Sequence, residues 1–219
     1  MNKLNIKYSD WMEYWNKKGS GNIKDQKNIN GYEGKLSYLP NYSYRYLITS
    51  IKKRLKLSKK NILLDVGCGG GILTYGLQKY VKQIIGIDAS SQMLQHVPQT
   101  IETYLAKADN MPFLDNKFDK LLCHSIFQYF PDINYARKVL KEMERVCKPK
   151  GLIYIVDLPD ETKRKEYEKS KKVEKHNLIR LFYSKEFFLK NWPKAKIFNN
   201  KLKGYGNAKF RFNLVYQKQ

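Results

Sequence analysis

The chain has 219 residues, enough for one domain with a sizeable core, and 42% of them are hydrophobic. Lys and Arg number 42 against 20 Asp and Glu, a formal charge of +22. No apolar run is long enough to span a bilayer, and the first residues lack the apolar stretch of a secretion signal, so the chain reads as soluble and cytoplasmic.

The three cysteines, Cys68, Cys123 and Cys147, stand apart without CxxC spacing. Neither a disulfide framework nor a zinc site is indicated, and they read as reduced core residues. The charge has two readings: a surface for nucleic acid or another anion, or a Lys-, Asn- and Tyr-rich composition with no bearing on partners.

In chain order, the leader carries Tyr8, Trp11, Tyr14 and Trp15, of which Tyr8, Trp11 and Trp15 have helical spacing. A polar, glycine-containing break from Asn16 to Gly34 follows, then a second aromatic cluster at Tyr38, Tyr42, Tyr44 and Tyr46. These rings either cap the exposed side of a sheet or form a lid with the break as its hinge. Lys52, Lys53, Arg54, Lys56, Lys59 and Lys60 then precede the first strand.

Leu63-Leu64-Asp65-Val66-Gly67-Cys68-Gly69-Gly70-Gly71 is a short apolar run that breaks into four glycines. It predicts a buried strand, a tight turn and a helix over roughly Ile72 to Lys79, with free N–H groups of that helix start facing a ligand. Ile84-Ile85-Gly86-Ile87 predicts a second strand, ending in Asp88 about 20 residues on, where such folds place an acid for a ribose diol. Tyr104 to Ala108, ending in Asp109, predicts a third, and Phe118 to Cys123, running into His124 and Ser125, a fourth. Four strand ends then meet at one rim.

Ile133, Ala136, Leu140, Met143 and Cys147 form one apolar helical stripe that stops at Lys148-Pro149-Lys150-Gly151. Leu152 to Asp157 predicts a central strand. Lys163 to Lys175, interleaved with Glu, predicts a solvated helix face. Ser184 is an N-cap candidate, and Lys194 to Phe198 and Phe210 to Tyr216 predict two closing strands, joined through a Gly204-Tyr205-Gly206-Asn207 loop.

At four motifs the chain resembles the class I S-adenosylmethionine-dependent methyltransferases: DVGCGGG at 65–71, IGIDAS at 85–90, AKADNMPF at 106–113 and FDKLLCHSIFQYF at 118–130. The competing reading of the glycine turn is a nicotinamide-dinucleotide domain, but the turn is GxGxG rather than GxGxxG. The resemblance implies an α/β, Rossmann-like, doubly wound seven-stranded sheet, mostly parallel with a C-terminal antiparallel strand. It also implies an N-terminal helical lid, with residues 1–51 as lid and acceptor-side segment and 52–219 as the core.

It further implies S-adenosyl-L-methionine as cofactor and S-adenosyl-L-homocysteine as product. Asp65, Gly67, Gly69 and Gly71 would organise the turn, Asp88 the ribose, and Asp109, Asn110 and Met111 the adenine, with Ala89, Ser90 and Met93 completing its wall. His124, at the carboxyl end of the fourth strand, would serve as general base, bind the methionine end of the cofactor or simply pack. Tyr14, Gln128 and Tyr129 would face the acceptor. There is no Asp/Asn-Pro-Pro-aromatic signature of base N-methylation, no Pro-Cys nucleophile, and no acid ending the fourth strand to hold a metal ion. What remains is metal-independent transfer to oxygen or nitrogen of a small molecule.

HSIFQYFPD with the EMERVCKP helix end is also similar to methyltransferases of bacterial surface-polysaccharide pathways, which implies a sugar, sugar nucleotide or phosphorylated metabolite, with Arg45 or Lys203 as phosphate ligands. An RNA or protein methyltransferase using the basic surface, and a non-catalytic cofactor-binding module, are the alternatives.

Overall fold

A computed structural model of the chain describes residues 8–21, 25–32, 37–170 and 180–219. The helices α1 (Tyr8–Gly19), α2 (Gln26–Ile29) and α3 (Asn41–Leu55) lead into β1 (Ile62–Val66), α4 (Ile72–Gln78), β2 (Gln83–Asp88), α5 (Ser91–Leu94) and β3 (Glu102–Leu105). There follow β4 (Phe118–His124), α6 (Ile133–Val146), β5 (Cys147–Pro159), α7 (Arg164–Ser170), α8 (Lys185–Asn191), β6 (Lys196–Asn199) and β7 (Arg211–Gln217).

The strands form one seven-stranded sheet in the order β3-β2-β1-β4-β5-β7-β6. β7 runs antiparallel to both of its neighbours, β5 and β6, whereas β1 to β5 pair in parallel. Central parallel strands covered on both faces read as near-continuous apolar runs, and Leu63-Leu64 of β1, Ile84-Ile85 of β2 and Leu121-Leu122-Cys123 of β4 supply them. Leu64, Val66, Ile85 and Leu121 pack on one face with Val139, Leu140 and Met143 of α6 and Phe188 of α8. Leu63, Ile84 and Leu122 pack on the other with Leu47, Ile51 and Leu55 of α3 and Leu73 and Leu77 of α4.

The amphipathic stripe of α6 is buried as its spacing predicts, and Asp132 caps the helix by accepting the Tyr135 N–H at 2.7 Å. Ser184 caps α8 in the same way, accepting from Phe187 N–H at 3.2 Å. All three cysteines are free and buried. No helix among the described residues is long and apolar enough to cross a membrane.

Three local expectations need correction. The third strand ends at Leu105, not at Ala108, because its pairing with β2 stops at Asp88 opposite Leu105; Asp109 then lies in a turn closed by a Lys107–Asn110 bridge. The apolar helix ends at Val146, before Lys148-Pro149-Lys150-Gly151, since Cys147 already pairs with Phe118 in the sheet. The polar break after α1 is in part a built segment: α2 lies within it, Ile29 is 1% exposed and Tyr32 is buried. Residues 22–24, 33–36 and 171–179, on which parts of the hinge and charged-helix expectations fall, lie outside the described residues. Within the rest of the charged stretch, Arg164 pairs with Glu161 and Glu168 on an exposed face, as expected of a solvated helix.

Candidate functional site

The carboxyl ends of β1, β2 and β4 open into one cavity of about 880 Å³, within the roughly 300–1,000 Å³ usual for cofactor and small-molecule sites. Its floor is the glycine turn between β1 and α4. Gly67, Gly69 and Gly71 have φ of +73°, +55° and +80°, the left-handed region that a Cβ disfavours. At Gly67 a Cβ would also stand 2.6 Å from Ile126 Cγ2.

The turn's amides are already committed. Gly67 and Cys68 donate to Ile87 O at 2.8 and 2.9 Å, Gly71 to Cys68 O at 3.0 Å, Gly69 to Asp88 Oδ2 at 2.8 Å and Gly70 to Asn30 Oδ1 at 3.0 Å. The N–H groups expected to face a ligand are those at the start of α4, and the turn itself offers room rather than donors.

Asp65, 2% exposed, accepts the Thr74 hydroxyl at 2.7 Å, and burial raises its pKa to about 7 against the hydrogen bond that lowers it. Asp88 takes the N–H groups of Gly69 and Ser90, at 2.8 and 2.9 Å, one on each carboxylate oxygen. Surrounding protein raises its pKa, and those N–H groups oppose the shift. A second lone pair on each oxygen can still accept from a ribose diol. Ala89 and Met93 line the same stretch of wall, and Ser90 caps α5 at Met93 N–H.

The turn bearing Asp109, Asn110 and Met111 is pinned to α6. Arg145 donates to the carbonyls of Met111 and Phe113 at 3.0 and 2.7 Å, and Glu142 accepts Met111 N–H at 2.8 Å. Met111 packs into the core beside Phe113, Asn110 is exposed, and the cavity wall here is Ala106 and Ala108. Asp109 Oδ1 is buried with no hydrogen-bond partner among the described residues. Asp109, Asn110 and Met111, expected against the adenine, are themselves not among the residues that line the cavity.

α1 lies across the cavity. Trp11, Met12, Tyr14 and Trp15 line it; Trp11 and Trp15 meet Tyr129 with ring centroids 4.5 and 5.3 Å apart. The helix is fastened to α5, since Ser90 Oγ donates to Asn16 Oδ1 at 2.6 Å and His96 Nε2 hydrogen-bonds Gly19 O at 2.7 Å. Trp11, Tyr14 and Trp15 thus cover the ligand edge of the sheet, whereas Tyr38, Tyr42 and Tyr46 of the second cluster are exposed and Tyr44 donates its hydroxyl to Ile72 O.

His124 ends β4 inside the cavity. Its Nδ1 shares a 3.3 Å hydrogen bond with the Tyr32 hydroxyl, and burial lowers its pKa, outweighing the attraction of Asp157 and reinforced by the Arg211 charge. The imidazole is neutral near pH 7. Gln128 Nε2 donates to the Ser125 carbonyl and hydroxyl oxygens at 2.7 and 2.8 Å, leaving its Oε1 buried without a partner among the described residues. Ser125 in turn donates to Asp157 Oδ2 at 2.8 Å, which also accepts from Tyr205 OH at 3.0 Å.

Arg45 and Lys203, the expected phosphate ligands, are exposed and outside the cavity; the arginines that line it are Arg180 and Arg211. Tyr32, Asp157, Arg180 and Arg211 carry no local motif. Asp157 alone had a signal, as the acid ending a strand that reads as central. Tyr205 and Asn207, on the loop predicted between the closing strands, reach the cavity as well.

The sheet order with its single reversed strand is that of the Rossmann-like fold of class I S-adenosylmethionine-dependent methyltransferases. Residues 64–155, less than half of the chain, match the methyltransferase domain family. The chain is 35% identical over 108 residues to a demethylmenaquinone methyltransferase of Thermotoga maritima, covering 47% of this chain and 46% of that protein. It is 30% identical over 140 residues to a ubiquinone biosynthesis O-methyltransferase of Pelagibacter ubique, covering 57% of each. The chain thus spans about half the length of these curated relatives.

Among solved structures, N-methyltransferase NodS from Bradyrhizobium japonicum WM9, in complex with S-adenosyl-L-homocysteine, superposes with a TM-score of 0.67 at 14% identity, covering 94% of this chain and 97% of that one. Phosphoethanolamine N-methyltransferase 1 from Haemonchus contortus, in complex with phosphoethanolamine and S-adenosylhomocysteine, gives 0.71 at 11% identity, covering 96% of this chain and 48% of that one. At such identities the likeness is one of fold.

Proposed function

We propose that the protein binds S-adenosyl-L-methionine and transfers its methyl group, without a metal ion, to oxygen or nitrogen of a small polar molecule such as a sugar, sugar nucleotide or phosphorylated metabolite. The observation that carries this reading is the single cavity in which Asp65 and Asp88 stand on the glycine-turn side and the neutral His124 stands beside them at the next strand end.

The residues present fit the cofactor. Asp88 would hold the ribose hydroxyls and Asp65 the ammonium of the methionine moiety, with Ala89 and Met93 against the adenine ring. Bound there, the sulfonium supplies an electrophilic methyl group with its own leaving group. The protein's remaining tasks are to align the acceptor, exclude water and take a proton. Trp11, Trp15 and Tyr129 close the cavity to water, and Tyr14 and Gln128 present polar atoms to the acceptor. With Nδ1–H given to the Tyr32 oxygen, His124 Nε2 carries the lone pair that removes a hydroxyl proton.

The test is incubation of the purified protein with radiolabelled S-adenosyl-L-methionine and a panel of sugars, sugar nucleotides and phosphorylated metabolites. Transfer of label to one compound, with one methylene gained in its mass, supports the proposal. Saturable cofactor uptake without transfer to any compound would leave a binding module, and no uptake would end the reading altogether.

A further inference from the structure

Arg211 is the first residue of β7, and its side chain is 1% exposed although it lines the cavity. Its Nε and Nη1 are both buried and have no hydrogen-bond partner among the described residues. The one carboxylate within ion-pairing distance among the described residues, Asp157 Oδ1, is 3.9 Å from Nε, beyond hydrogen-bond reach.

Asp157 is occupied elsewhere. Its oxygens accept from Ser125 OH, Tyr205 OH and Asn200 Nδ2 at 2.8, 3.0 and 3.3 Å. A guanidinium removed from water with two of its nitrogens unmatched is costly unless an acceptor comes to them. That fork matches the oxygens of a carboxylate or phosphate two at a time.

Arg180 lines the same cavity. Its Nη1 donates to the Tyr167 hydroxyl at 2.8 Å, and the Arg211 guanidinium lies 5.5 Å from the Tyr167 ring centroid, so one buried tyrosine of α7 braces both. Among the described residues, Arg211 is faced by one carboxylate, Asp157, with the phenols of Tyr32 and Tyr205, whose pKa values burial holds well above 10, and the neutral His124 on the same stretch of wall.

We propose that Arg211, with Arg180 beside it, forms an oxyanion subsite that holds a carboxylate or phosphate group of the methyl acceptor. The proposal rests on the methyltransferase reading for the identity of the occupant, and it narrows the acceptor to anionic small molecules. Arg211 is the anchor. His124, on the same wall, would then meet the acceptor atom at a fixed distance from its charged end.

The experiment is calorimetric titration of the full chain with inorganic phosphate and, separately, with acetate, at constant ionic strength made up with chloride. Each titration is run with and without saturating S-adenosyl-L-homocysteine. One saturable site for phosphate or acetate is expected, and the stronger of the two identifies the acceptor's anion. Arg211→Met should weaken it by at least roughly tenfold, and Arg180→Gln by several-fold, with the affinity for S-adenosyl-L-homocysteine within about threefold of the parent.

Only non-saturating uptake by the parent protein overturns the subsite whether or not either variant folds. So does phosphate affinity that persists unchanged in both variants, since surface lysines would then be the ligands. Failure of S-adenosyl-L-homocysteine to bind the parent protein overturns the methyltransferase reading instead, and the anion titrations without it still decide the subsite.

Discussion

The Thr74 hydroxyl donates to Asp65 Oδ2 at 2.7 Å, the polar contact that keeps a buried carboxylate partly ionised beneath the glycine turn. Burial nonetheless lifts that carboxyl from 3.8 to about 7.

From this shift follows a pH dependence. A raised folded-state pKa means that the protonated acid stabilises the ligand-free fold. That contribution is complete below about 3.8 and is lost as pH rises through about 7. A cationic ammonium beside Asp65 demands the ionised form, so cofactor affinity should fall about tenfold from pH 8 to pH 6, with proton release on binding at the lower pH. Calorimetry at both pH values, in two buffers of different ionisation heat, counts the protons. Flat affinity and no proton release would remove Asp65 from the cofactor's ammonium.

Asp88→Asn keeps the side chain's size but leaves one carbonyl oxygen to serve two backbone N–H groups and two ribose hydroxyls. Affinity for S-adenosyl-L-homocysteine should drop about ten- to a hundredfold, as for loss of hydrogen bonds to a charged group. Because burial penalises the Asp88 charge, the ligand-free variant should melt within a few degrees of the parent. Equal affinity in the two proteins would refute the ribose assignment.

His124→Ala should leave cofactor affinity within a few-fold while lowering turnover about a hundredfold or more, the range of a lost general base. Since its pKa is lowered, the parent's rate at saturating S-adenosyl-L-methionine should hold level as pH falls to about 6.5 and decline only below that. Rates against pH for both proteins, with the methylated acceptor as readout, test the assignment; unchanged turnover in the variant would sink it.

Gly67→Ala combines φ +73° with a Cβ 2.6 Å from Ile126 Cγ2, so it should lose about 2–4 kcal/mol in urea unfolding. Adding Ile126→Ala opens the space but leaves the backbone strain, so the double variant should recover only part.

Much of this molecule was legible in its sequence because the information was local. Leu63 to Gly71 and Ile84 to Asp88 encode strand, turn and acid within a few residues, and β1 and β2 fall where those runs place them, as β4 does on Phe118 to Cys123. Asp109 was the partial case. The expected strand reaches it, but pairing with β2 ends at Leu105, and the acid is set by Arg145 and Glu142 from a helix some 30 residues away. Tyr32 and Arg211 were illegible for a stronger reason. Tyr32 reaches His124 across 92 positions of sequence, and Arg211 meets Asp157 across the sheet, contacts that only the closed fold creates.

The reversal of β7 has a consequence for how such a pocket changes over time. Parallel strands point their last residues at the ligand, but β7 presents its first, Arg211, and so the chain entering it, from Gly204 to Phe210, lies along the ligand edge as well. On the proposed methyltransferase function, that entry segment can be rewritten, and a new acceptor admitted, while the cofactor half on the opposite strands stays untouched.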